Sequence, residues 1–210
     1  MKFRRIEAVF MKQIKDTLKN KTALIQFVLF PLLAFILTET IAKSDKFLPD
    51  NYFVLLFAIM YVGMVPAINT ASIITEEKEK NTLRILMLAN VRPLEYLIGV
   101  GSYVFIVSSI GAVAFGFIGG YSGAQLGLFI IVLMVGILGS LILGSTIGIF
   151  AKNSMSSAGL VLPVSMITAF LPMIASFNET FESISRFLYT QQINYLIADL
   201  SIANFTVERF

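Results

Sequence analysis

Residues 125–151 read QLGLFIIVLMVGILGSLILGSTIGIFA and contain no charged side chain. The hydrocarbon core of a bilayer, about 30 Å thick, takes ~20 apolar helical residues at 1.5 Å per residue. This stretch is long enough to cross it. Four others qualify: Thr22 to Ala42, Tyr52 to Thr75, Leu94 to Gly119 and Ser157 to Phe177, which are spans 22–42, 52–75, 94–119 and 157–177. The whole chain agrees with that reading. Its 210 residues are 57% hydrophobic and 14% charged, with a mean hydropathy of +0.83. Ordinary soluble domains carry roughly a quarter charged residues and bury only ~70% of their chain surface, so a soluble domain cannot hide this much apolar area. The expected fold is an all-α polytopic transmembrane helical bundle in a single domain, 1–210.

Several spans carry residues that need a reason. Pro31, Pro66, Pro163 and Pro172 each remove a backbone donor. Kinks are expected there, and a neighbouring helix can satisfy the freed carbonyl. Gly136, Ser140, Gly144 and Gly148 recur every fourth residue of the fourth span. Such a stripe lets backbones approach closely in lipid, and packing within one bundle is favoured over a dimer seam. Glu39 is the only carboxylate well inside a span, close to its end. It either reaches headgroup water or lines the outer mouth of a pathway. Asn69 has the same two readings, a packing hydrogen bond or a pathway residue.

The basic residues orient the chain. Lys2, Arg4, Arg5, Lys12, Lys15, Lys19 and Lys21 precede the first span, Lys78, Lys80, Arg84 and Arg92 follow the second, and Lys152 follows the fourth. Lys43, Lys46, Arg186 and Arg209 are left for the other side. The excess of Lys and Arg on one side puts the N-terminus in the cytoplasm. Within residues 1–21, Phe3, Ile6, Phe10, Ile14 and Leu18 fall on one side of a helical wheel and the basic residues on the other, the pattern of an interfacial elbow helix. Residues 178–210 repeat apolar side chains near helical spacing (Phe181, Ile184, Leu188, then Ile193, Leu196, Ile197, Leu200), which suggests two short amphipathic helices on the outer leaflet.

The most informative loop is 75–99, TEEKEKNTLRILMLANVRPLEYLIG. A dense charge cluster, Glu76 to Lys80, leads into an apolar run broken only by Arg84. As a helix, Leu83, Leu86 and Met87 share one face, while Ile85 and Leu88 point elsewhere. A helix apolar nearly all round needs cover on more than one side. The features Glu77-Lys78-Glu79, Thr82-Leu83, Leu86, Pro93-Leu94-Glu95 and Leu97-Ile98-Gly99 resemble the segment after the second span in permeases of type-2 ATP-binding-cassette (ABC) exporters. The chain departs from that pattern at Asn81, where glycine is usual, at Ala89-Asn90-Val91, where a Ser/Thr-Pro pair is common, and at Val100. The resemblance extends to the whole plan: elbow helix, two spans, charged coupling segment 76–93, three spans, outer amphipathic segment.

The resemblance implies a permease that forms a substrate pathway and couples to a separate cytoplasmic ATPase. Residues 82–90 then dock on that ATPase, through Thr82, Leu83, Arg84, Leu86 and Met87, with Glu76, Glu77 and Glu79 making charged contacts nearby. It also implies a second permease copy or homologue as partner, in the cell membrane. No nucleotide-binding G-x-x-x-x-G-K-[ST] occurs, so ATP and its magnesium are expected on the partner chain and no cofactor on this one. With no histidine and no cysteine, a His-based zinc peptidase and a thiolate metal site are excluded. A net charge of +3 is too mild to argue for nucleic acid. The competing reading is a membrane anchor or sensor subunit that docks a cytoplasmic partner without transporting anything. An odd number of spans leaves the C-terminus outside, and a sixth span of about 20–30 residues is expected beyond Phe210, the alternative being a five-span chain.

Overall fold

The computed structural model describes residues 3–19, 21–44 and 48–207. Among the described residues there are nine α-helices and no strand. They are α1 (Phe3–Lys19), α2 (Lys21–Leu37, continued by a π-helical turn Thr38–Ala42), α3 (Tyr52–Glu79), α4 (Thr82–Leu88), α5 (Pro93–Ile118), α6 (Gly123–Phe150), α7 (Ser154–Ala175), α8 (Glu179–Ser185) and α9 (Tyr189–Val207). Five helices are long and apolar enough to cross a membrane: α2 with its π turn, α3, α5, α6 and α7. The side chains of Leu18 and Leu200 lie outside the described residues. The end of the bundle carrying α1 and α4 is called proximal below, and the opposite end distal.

Helix α3 is the axis of the bundle. Two-thirds of its apolar window is buried (67%), against 17% for α2, and α2, α5, α6, α7 and α9 all pack on it. Small residues set how closely they approach. A Cβ at Gly144 of α6 would stand 2.4 Å from the Ala67 carbonyl oxygen of α3, and one at Gly148 3.1 Å from the Ala71 Cα. On α7, Ala169 backbone lies 3.0 Å from the Cβ position of Gly63. On α5, Gly111 leaves room for the fully buried Tyr61, whose hydroxyl donates to the Ser108 carbonyl at 3.1 Å.

Helices α2, α3 and α7 continue without a break through their prolines, and at Pro66 and Pro172 a neighbour supplies the missing donor. Pro66 has no N–H to give the Val62 carbonyl, and Ser140 Oγ of α6 donates to that oxygen instead. Pro172 deprives the Thr168 carbonyl in the same way, and Thr190 Oγ1 of α9 donates to it at 2.6 Å. The stripe of small residues therefore hides one hydroxyl with a defined task.

The segment after α7 does not lie flat on a membrane surface. Helices α8 and α9 form a hairpin that enters the distal half of the bundle. Ile193 and Ile197 join the main core, 3% and 1% exposed, and Ile193 reaches the Cβ position of Gly136. Tyr189 covers Gly139 and shares a 2.7 Å hydrogen bond with Ser140 Oγ. Apolar spacing alone places such a helix at an interface; polar anchors on the carbonyl of Thr168 and the hydroxyl of Ser140 draw it inside.

Helix α1 is likewise rotated from its simplest reading. Its buried face is Val9, Gln13 and Thr17, while Phe3 stays 79% exposed and Phe10 and Ile14 sit at the edge of the core. Val9 seats against Gly99 of α5, where a Cβ would come within 2.8 Å of it. That contact explains the glycine six residues after Pro93.

Candidate functional site

The proximal end is built around the short helix α4. It is bracketed by two asparagines with positive φ, Asn81 (55°) and Asn90 (63°). Asparagine tolerates the left-handed region better than most residues other than glycine, so Asn81 takes a conformation that glycine, the usual residue here in the resembled pattern, adopts without strain. At the far end of α4, the Val91 N–H bonds the Leu86 carbonyl at 3.1 Å and the Asn90 N–H bonds the Met87 carbonyl at 3.0 Å, a Schellman closure. Arg92 is extended before Pro93, and the Glu95 carboxylate accepts from its N–H at 3.1 Å, which starts α5.

The two faces of α4 differ. Leu83, Leu86 and Met87 pack with Val9, Ile74, Tyr96 and Val100. They are half-buried against these side chains of the protein's own bundle. Ile85 (63% exposed), Leu88 (78% exposed) and the exposed Arg84 form the outward face. Thr82 is half-buried and borders a cavity described below.

The charge cluster is mostly committed within the chain. Successive helical residues point about 100° apart, so Glu77, Lys78 and Glu79 reach three different neighbours. Glu77 is buried, pairs with Lys12 of α1 and accepts from Gln13 at 2.5 Å. Lys78 donates to the carbonyls of Gly148 (2.8 Å), Ile149 and Ala151 (3.1 Å), neutralising the C-terminal end of α6. Glu79 accepts from the Ser154 N–H (2.8 Å) and hydroxyl (2.6 Å), capping the start of α7. Arg5 of α1 adds a 3.5 Å pair to the buried Glu95 of α5. Only Glu76 stays local, paired with Lys80 at 3.1 Å; that partner holds the Lys80 ammonium above the usual lysine range. Glu76, Glu77 and Glu79, which the resemblance implies make charged contacts near the ATPase, have Lys80, α1 and α7 as neighbours within the chain.

Asn69 donates to Gln26 of α2 at 3.0 Å and to the Val65 carbonyl at 2.9 Å. It borders a cavity of about 860 Å³ between α1, α2 and α3, whose lining also includes Gln26, Ser72, Lys19 and Asp16 and is polar apart from Ile73. Glu39 sits at the other end of the bundle, exposed in the π turn and paired with Lys43 at 2.5 Å, so the two candidate pathway residues are not brought together. Gly136, Ser140, Gly144 and Gly148 all face α3. Among the described residues no group of His, Cys, Asp or Glu side chains is arranged to hold a metal ion.

The model of one protein family, described as ABC-2 family transporter protein, matches residues 10–207. No match was found among curated proteins or among solved structures.

Proposed function

The chain belongs to the ABC-2 transporter family, a membrane-embedded permease component of an ABC transporter, and from that premise we propose that it is the permease of an exporter driven by a separate cytoplasmic ABC ATPase that docks on α4. The observation that carries this reading is the outward face of α4. Ile85 and Leu88 are large apolar side chains left uncovered at the proximal end, beside Arg84. An exposed apolar patch in a charged rim is the usual form of a protein docking surface.

The basic residues of α1, Lys78 to Arg92 and Lys152 make the proximal end cytoplasmic, with the N-terminus inside the cell. ATP and magnesium bind the partner ATPase, and a second permease, identical or homologous, completes the transporter in the cell membrane. When the ATPase changes state it displaces α4. The Schellman closure and the Leu83, Leu86 and Met87 contacts make α4 rigid against the bundle. Its motion passes to α3, and Glu77, Lys78 and Glu79 carry it to α1, α6 and α7 at once. The polar cavity beside Asn69 is the inner mouth of the pathway.

The test is coexpression with the cognate ATPase and substitution of Ile85→Asp and Leu88→Asp. Loss of co-purification and of permease-dependent ATP turnover, with the permease still monodisperse, is the expected result. Unchanged co-purification and turnover refute docking through this face. ATP-dependent movement of any cargo by the reconstituted complex excludes a non-transporting anchor or sensor.

A further inference from the structure

The polar cavity beside Asn69 lies at the depth of the lipid headgroups. Helix α3 is 28 residues long, about 42 Å at 1.5 Å per residue, against about 30 Å for the hydrocarbon core. With Tyr52 at the distal interface, where aromatic side chains collect, the hydrocarbon ends near Ser72. Residues 73–79 of α3 then run through the proximal headgroup layer. On α2, Gln26 lies near the proximal end of the apolar stretch Leu24–Ala42. The cavity, about 860 Å³, reaches from Asn69 and Gln26 at that boundary to Lys80 and Thr82. Its size is that of a small-molecule site, ~300–1,000 Å³.

The two levels of the cavity offer different chemistry. At the floor, Asn69 donates to the Gln26 side-chain oxygen. The Gln26 amide N–H groups and the Ser72 hydroxyl have no partner among the described residues. They are neutral donors, suited to ester carbonyls. At the rim stand three cations, Lys12, Lys19 and Lys80, and three carboxylates, Asp16, Glu76 and Glu77. Lys80 pairs with Glu76, and Lys12 with Glu77. Lys19 forms no ion pair among the described residues. Asp16 has only a 3.4 Å approach to the Lys12 that Glu77 already holds. Lys19 and Asp16 stand about one helical turn apart on α1. The rim therefore leaves one cation and one carboxylate open. A zwitterion satisfies both, whereas a simple anion or cation is repelled by one of them.

We propose that this cavity binds the headgroup of an inner-leaflet phospholipid of the ethanolamine type, with its phosphate on Lys19, its ammonium on Asp16 and its ester carbonyls on Gln26 and Ser72. Such a headgroup already sits at this depth and meets both levels without leaving its leaflet. The proposal rests on the reading of the cavity as the inner mouth of the pathway and names what that mouth holds.

The test is native mass spectrometry of the full-length, delipidated protein titrated with phosphatidylethanolamine, phosphatidylglycerol or phosphatidylcholine of the same acyl chains. One ethanolamine lipid should be retained per chain, at least about fivefold more tightly than the other two, fivefold being the effect of one charge contact at ~4 Å in water. The choline headgroup has the charges but no N–H to donate to Asp16. Lys19→Gln should weaken phosphatidylethanolamine and phosphatidylglycerol alike, by about fivefold. Asp16→Asn should weaken phosphatidylethanolamine by about fivefold and strengthen phosphatidylglycerol, opposite signs that a misfolded variant does not give. Equal retention of the three lipids, or indifference to both substitutions, overturns the proposal.

The place and the source are read separately. The chain contains no cysteine, so Ser72→Cys puts a single thiol in the cavity. The free thiol should leave the ethanolamine lipid bound, and a bulky methanethiosulfonate attached to it should abolish retention. Retention unchanged by the attached group puts the lipid elsewhere and overturns the site. Glycerophosphoethanolamine carries the headgroup without acyl chains. Its failure to compete at lipid concentrations supports the leaflet as source, and equal competition assigns a soluble zwitterion and overturns the lipid. Binding is read without ATP or ATPase, so its failure is separable from failure of the exporter reading, which the Ile85→Asp and Leu88→Asp experiment reports.

Discussion

The hydrogen bond from Ser140 to the Val62 carbonyl gives a quantitative test of how this bundle tolerates proline. Ser140→Ala removes one hydroxyl and leaves the backbone in place. Interhelical side-chain hydrogen bonds in membrane proteins average ~0.6 kcal/mol and reach ~1.7, because most partners find substitutes. Here the substitute is missing. Pro66 cannot donate to Val62, so the carbonyl is left unsatisfied in a dry interior, which costs about 1–3 kcal/mol. A loss of ~1.5 kcal/mol is expected.

Pro66→Ala returns an N–H that can reach the Val62 carbonyl. In that background Ser140→Ala should cost less than ~0.5 kcal/mol, a coupling of about 1 kcal/mol that a double-mutant cycle resolves. Equilibrium unfolding in mixed micelles of rising dodecyl sulfate fraction measures all four proteins, and Tyr189→Phe accounts for the second partner of Ser140. Additivity of the two substitutions within ~0.3 kcal/mol would falsify the claim that Ser140 replaces the donor that Pro66 lacks. The matching cycle on the hairpin is Thr190→Val with Pro172→Ala.

Two further outcomes follow from the same geometry. Gly144→Ala places a Cβ 2.4 Å from the Ala67 carbonyl oxygen and must push two backbones apart, an overpacking cost of about 1–3 kcal/mol. Gly159→Ala meets nothing within 4 Å and should be neutral or stabilising; equal unfolding midpoints for the two would remove the close-approach argument. Asn81→Gly should keep folding and ATPase coupling, because the 55° φ suits glycine, whereas Asn81→Val should lower stability by about 1–2 kcal/mol and loosen α4, seen as faster proteolysis between α3 and α5.

The spans were readable because bilayer thickness dictates their length and composition, and residues 125–151 needed nothing else. The prolines were half readable. Pro66 and Pro172 identify Val62 and Thr168 as carbonyls short of a donor, but only the fold brings Ser140 and Thr190 to them. The partners of the charge cluster within the chain were not readable for a related reason. A run such as Glu77-Lys78-Glu79 looks like solvated surface, and it takes three-dimensional neighbours to make it a buried pair, a cap for α6 and a cap for α7. Helix α9 escaped apolar counting because its polar side chains hold it inside. On α4 the sequence separated the two faces, and packing against Val9 and Ile74 decided which one turned inward.

The hairpin's attachment has a consequence for how the protein is made. Helix α9 carries Thr190, Gln191, Gln192, Asn194 and Asp199 and has no apolar run that would move it into lipid by itself. Its sockets, the hydroxyl of Ser140 and the carbonyl of Thr168, exist only once α6 and α7 have assembled around α3. Assembly of α9 therefore depends on that of α6 and α7: the seat for Thr190 and Tyr189 is complete only when those helices stand side by side. Without α9 the Thr168 carbonyl, which Pro172 cannot serve, has lost the donor that Thr190 supplies.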